Sequence, residues 1–262
     1  LIDVTSKGKK LPAMKDSKGQ VNMGHDAQIK TAIRDYSMLA FSSRRAGKRD
    51  VAATAYVSLA VIHDNQSNYT LAIDCYQQYY DICVECNDVM GQAVALNNLS
   101  VNHMLLASPP SDAGSLKGVD MSNNATLVHI NKAISMNAKH VEIADGGGKF
   151  VAHTNLGLSY GMAGDIEKAS KHHQDALRIA IKMQTLYGQS IAVGNLGLIA
   201  LTKSDYLTAK TCFEQVYCVC CVYYMYFVMI YVLFCDCVDM TCTHNIPYSH
   251  VAFIIFYILY II

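Results

Sequence analysis

The sequence predicts an all-α fold, a right-handed α-solenoid of antiparallel helix pairs with an atypical hydrophobic C-terminal tail, and three observations carry that prediction. The first is a repeated block: Gly91 to Ser100, Gly148 to Gly157 and Gly188 to Gly197 each open on Gly, place Ala four residues before Leu and Asn just before it, and follow it with a tiny residue. A fourth copy around Leu59 keeps Ala55, Leu59 and Ala60, with Ser58 in the Asn place, and both Leu59 to Leu99 and Leu156 to Leu196 are steps of 40 residues. The second is an anchor thirteen residues beyond three of those leucines, Ala72, Ala169 and Ala209, each followed four residues later by a ring, Tyr76, His173 or Phe213. Apolar and small residues three or four apart define one face of a helix, so each unit holds two helices that approach closely. The third is composition: four prolines and no tryptophan in 262 residues suit helices better than a turn-rich sandwich, and 52% apolar content is enough for a core.

The elements follow in chain order. Residues 1–24 mix lysines with Gly, Ser and Asp and lack an apolar stretch, so they read as a disordered segment that is neither signal peptide nor complete N-terminus. Counting 40 back from Ala72 and Tyr76 lands on Ala32 and Tyr36, which makes 25–47 the second helix of a partial repeat. Residues 48–217 hold about four units, with Asn68, Asp165 and Asp205 placed as N-caps of second helices. One unit departs from the pattern. A Pro-, Gly- and Ser-rich insertion at 107–127 postpones the partner alanine to Ala133, a loop long enough to be functional or disordered, with composition favouring disorder. The helix after it is expected over His129 to Ala144 and to be ended early by Gly146, Gly147 and Gly148. After 217 the composition changes: the last 45 residues, 218–262, hold two charges, six of ten cysteines and seven of seventeen tyrosines.

The lines Asn155-Leu-Gly-Leu-Ser-Tyr160, Gly164-Asp165, Ala169 and Ala176 resemble the tetratricopeptide repeat (TPR) family, and the 40-residue spacing is similar to its longer-repeat subclass of the LGN and rapsyn kind. That resemblance implies a TPR-like superhelix acting as a non-catalytic scaffold or adaptor, its concave groove lined by first helices and receiving a peptide of a protein partner. With the repeat leucines facing the stack, Ser58, Asn98, Asn155 and Asn195 are expected to project into the groove, where amides can hold a peptide backbone. Val94, Asn97, Val101, Val151, Thr154, Leu158, Ile191 and Leu198 share that face and make it mildly apolar and nearly uncharged. The competing reading is that the asparagines cap or bridge neighbouring helices. The carboxylate clamp of the family's chaperone-tail binders is absent, because Val57, Val61, Val151 and Thr154 stand where Lys or Arg is needed, so a mostly apolar peptide is expected.

Other chemistries leave little trace. Lys plus Arg and Asp plus Glu both number 21, so no basic excess is available for nucleic acid. No phosphate loop, dinucleotide fingerprint, Gly-x-Ser-x-Gly or His-Glu-x-x-His occurs, so no enzyme activity, cofactor or small-molecule substrate is expected. Adjacent His172 and His173 point about 100° apart on a helix and cannot ligate one metal together. Cys83 and Cys86 have CxxC spacing but no second pair in register, so they read as helical core cysteines and no metal site is assigned. A metal- or redox-linked protein using the cysteines is kept as a second alternative. Few cysteines before 217 point to a cytoplasmic setting. Residues 216–234 carry no charge, with Lys203 and Lys210 before them and no Lys or Arg after. That composition fits either an aberrant tail, as translated non-coding sequence is, or a tail anchor holding the repeats on the cytoplasmic face of a membrane. Since the repeat register stops in mid-helix, the array is expected to be a fragment cut at both ends.

Overall fold

The computed structural model describes residues 24–108 and 123–217; the N-terminal segment, the middle of the insertion and the hydrophobic tail with both its readings lie outside the described residues. The chain divides into two compact units, Leu1–Ala113 and Gly114–Ile262, each taken here by itself. In the first, α1 (His25–Arg45), α2 (Arg49–Asn65), α3 (Tyr69–Glu85) and α4 (Val89–Ala107) pack each against the next. In the second, α5 (Asn124–Ile143), α6 (Gly146–Met162), α7 (Ile166–Lys182) and α8 (Leu186–Thr202) do the same, and α9 (206–217) follows. Every regular element among the described residues is a helix.

A fixed connector sets the repeat length. Helices α2, α3, α6, α7 and α8 each have 17 residues, and three-residue links join α1 to α2, α2 to α3, α3 to α4, α6 to α7, α7 to α8 and α8 to α9, so a helix and its link take half of the 40-residue step. The middle residue of each link is left-handed: Gly47, Ser67, Asn87, Gly164, Gln184 and Ser204 all have positive φ. The next residue's N–H reaches back to a carbonyl in the last helical turn, as Asn68 to His63 (2.9 Å), Asp88 to Cys83 (2.8 Å), Asp165 to Tyr160 (2.9 Å) and Asp205 to Ala200 (2.9 Å). This is the Schellman closure, which satisfies carbonyls that a helix end leaves open and reverses the chain within three residues. The same residue often caps the following helix: Asp88, Asp165 and Asp205 accept from the N–H groups of Gly91, Lys168 and Thr208. Asn68 stands at its N-cap position without a capping bond, and its amide donates to Gln66 Oε1 at 3.3 Å instead.

Packing between helices rests on small residues. Ala52, Ala55, Ala60 and Ala72 in the first unit and Ala152, Ala169, Ala176, Ala180 and Ala192 in the second are buried. The ring four residues beyond each second-helix alanine lies against the first helix where that helix has no bulk: His173 faces Gly157, and Phe213 faces Gly197. A methyl group at Gly157 would stand 2.6–2.8 Å from the His173 imidazole, so glycine is required by close approach. In the first unit Tyr76 fills the ring position and donates its hydroxyl to Asp64 Oδ2 at 2.8 Å.

Two expectations are corrected around the insertion. Helix α5 begins at Asn124, five residues before the expected His129, because Asn123 Oδ1 accepts the Ala125 N–H and caps it. It ends at Ile143, and the glycine run opens the next helix: Gly146 takes φ +39° and, with Gly147 and Gly148, forms the first turn of α6 after the N-cap residue Asp145.

Candidate functional site

The groove candidates fall on the first helices of the repeats. Ser58 on α2 is half-buried, and its hydroxyl donates to its own helix at Thr54 O (2.8 Å). On α4, Val94 is 40% exposed, Asn97 and Val101 are half-buried, and Asn98 donates its amide to Val94 O at 2.9 Å. On α6, Val151 is 38% exposed, Asn155 and Leu158 are half-buried, and Thr154 is buried with its hydroxyl on Phe150 O (2.9 Å). On α8, Ile191 is half-buried, Leu198 is 40% exposed, and Asn195 is 1% exposed with neither amide atom paired.

In the second unit the candidates are Val151, Thr154, Asn155 and Leu158 on α6 and Ile191, Asn195 and Leu198 on α8, two helices that touch each other as well as α7, and Thr154 and Asn195 are buried. The expectation that all four repeat-position polar groups project outward needs correction at Asn195, which packs inside. Ser58 and Asn98 close back onto the carbonyl four residues earlier, a local bond that competes with holding a ligand. What remains open on these helices is chiefly the apolar edge of Val94 on α4 and of Val151 and Leu198 in the second unit.

Titratable groups follow burial. Cys83 is buried while Cys86 is exposed, so the CxxC pair splits between core and surface. Burial raises the Cys83 and Cys212 thiols, and Cys75 is pushed up to about 11, first by burial and then by the Asp74 charge. Thiols held in their neutral form are poor nucleophiles and poor metal ligands. His173 is lowered to about 4, first by burial and then by neighbouring His172.

A juxtaposition that sequence spacing did not suggest lies between α6 and α7. His172 turns away from His173 and meets His153, with Nδ1 atoms 3.1 Å apart. Both imidazoles are lowered chiefly by burial. Tyr160 stacks parallel on His172 with ring centroids 5.5 Å apart, and Lys168 lies over the other ring of that stack at 5.1 Å. The signal was present in the repeat: His153 stands three residues before the first-helix leucine Leu156, and His172 three after the second-helix alanine Ala169.

Paired antiparallel helices, most of them joined by the same three-residue connector and packed through alanine and glycine, define a helical-repeat fold. Residues 53–83, covering most of α2 and α3, match the tetratricopeptide repeat family. No curated protein matches the sequence. Among solved structures, the chain resembles the apo form of RapI at 13% identity and a TM-score of 0.53, over 74% of this chain and 49% of that one. It also resembles BtubC from P. vanneervenii at 16% identity and a TM-score of 0.50, over 76% of this chain and 83% of that one. The chain therefore spans about half the length of RapI. Residues 53–83 thus match a tetratricopeptide repeat, and the helix pairs share the fold of such repeats.

Proposed function

We propose that the protein is a non-catalytic scaffold that holds an apolar peptide segment of a partner protein along the first helices of its repeats. One observation carries this reading: on the touching helices α6 and α8, Val151 and Leu198 remain 38% and 40% exposed, and none of the candidate residues on these two helices is charged. Covering the part of each apolar side chain still exposed gains about 0.6–1.2 kcal/mol, some two fifths of the value for a fully exposed one.

Peptides selected from a random display library on the full chain provide the test. The selected sequences should be rich in apolar residues, and the Val151→Asp/Leu198→Asp double variant should lose at least about tenfold in affinity for them, the equivalent of 1.4 kcal/mol. Lys182→Glu, an exposed change at the end of α7, should bind as the parent does. Equal peptide affinity in the double variant and the parent, with equal melting temperatures, would place the binding face elsewhere.

A further inference from the structure

His153 and His172 belong to facing helices, and their Nδ1 atoms meet at 3.1 Å. A neutral imidazole carries one N–H, so this gap holds either one shared hydrogen or an ion that accepts both lone pairs. Two nitrogens bound to one tetrahedral Zn2+ at about 2.0–2.1 Å stand about 3.3 Å apart, so the observed gap is already that of two ligands of one ion. Asp175 supplies a third donor. It follows His172 by three residues and so lies on the same face of α7 one turn on, and the donor atoms of His153, His172 and Asp175 all lie within 4.8 Å of one another. A carboxylate and a histidine three apart on one helix, completed from the helix opposite, is how helical bundles hold metal ions between their helices. The His172 ring is held in plane by Tyr160, stacked at an interplanar angle of 3°.

We propose that His153, His172 and Asp175 bind a borderline divalent transition-metal ion, Zn2+ or its surrogate Co2+, with a fourth position left to water. Two imidazoles and one carboxylate suit these ions better than Mg2+ or Ca2+, which require an oxygen cage. Binding moves the hydrogen between the two Nδ1 atoms to an Nε2, so each ring offers a lone pair to the ion and keeps one N–H. It also takes the Asp175 carboxylate from Arg178, whose Nη2 stands 2.9 Å from Asp175 Oδ1. Arg178 is therefore a competitor of the ion, and this gives the site a signature that a purely structural histidine pair does not have.

The test is a Co2+ titration of the full chain followed by visible absorption. The expected result is one ion bound with d–d bands and no thiolate charge-transfer band, displaced by Zn2+. Asp175→Asn should weaken binding at least tenfold, His153→Ala should abolish it, and Arg178→Ala should tighten it severalfold. Asp175 has 20% of its side chain exposed and Asn matches its shape, so this variant carries the test even where His153→Ala fails to fold. Absence of Co2+ uptake, a thiolate band that persists in His153→Ala, or unchanged affinity in Asp175→Asn would each overturn the proposal.

Discussion

Single positions decide how this chain turns and how closely its helices meet. Six connectors require a left-handed residue, yet only Gly47 and Gly164 are glycines, and Ser67, Asn87, Gln184 and Ser204 hold φ of 54–60° with a Cβ attached. A left-handed L-residue costs roughly 1–2 kcal/mol, offset in part when glycine adds freedom to the unfolded chain. Gln184→Gly should therefore raise stability by about 0.5–1 kcal/mol, and Gly164→Ala should lower it by a similar amount, both read from urea midpoints at constant m-value. A fall in the midpoint for Gln184→Gly would show that the link is set by contacts of the Gln side chain. Gly157 poses the opposite problem, because an added methyl meets the rigid, buried His173 ring. Gly157→Ala should cost about 1–3 kcal/mol by overpacking. The cost should shrink in a His173→Ala background, where the ring is gone, and a double-mutant cycle measures the difference.

At the scale of the element, helix bounds were legible because side chains near the links encode them: Asp165 and Asp205 announce a helix start, and the alanine-to-ring spacing announces a face. The start of α5 was not legible, since the insertion breaks the 40-residue count and only the local bond from Ala125 N–H to Asn123 fixes where helix begins. The glycine run predicts a stop because glycine often ends helices, whereas here the link is the two residues Ala144 and Asp145 and the glycines fall after it. Spacing assigns the groove candidates to the first helices of the repeats, but it says nothing about whether a polar group is already satisfied. Asn98 turns to Val94 O, while Asn195 at the matching position is buried with both amide atoms unpaired. The pairing of His153 with His172 is not legible in spacing along one helix, because the pair spans two. The state of Asn195 gives a prediction for α8: Asn195→Leu, of similar volume and without the unpaired donors and acceptor, should stabilise the second unit by about 1–2 kcal/mol. Thermal melting checks it, and a destabilised variant would mean that the amide is paired in solution.

For the molecule as a whole, the balance of 21 basic and 21 acidic residues leaves its histidines as the groups that respond between pH 4 and 7. In the second unit His129, His140, His153, His172 and His173 are all lowered, with burial the first cause in each. The folded unit thus favours neutral imidazoles, while the unfolded chain takes up protons near pH 6.5. Stability from this source is fully present above the unfolded value and is lost as pH falls through 6.5 toward the folded value. His173, 2% exposed and lowered to about 4, contributes a loss of roughly 3 kcal/mol over that window. Asp64 in the first unit carries the opposite sign, since burial raises its carboxyl and its folded form gains relative stability as pH falls. Amides of α5 to α8 should therefore lose hydrogen-exchange protection on going from pH 7 to 5 before those of α2 and α3. His173→Phe, which puts on Gly157 the kind of ring that Phe213 puts on Gly197, should flatten the pH slope of the second unit and stabilise it at pH 7 by removing the unpaired Nδ1. An unchanged slope in that variant would assign the acid response to the remaining four histidines, and earlier opening of α2 and α3 would refute the ordering itself.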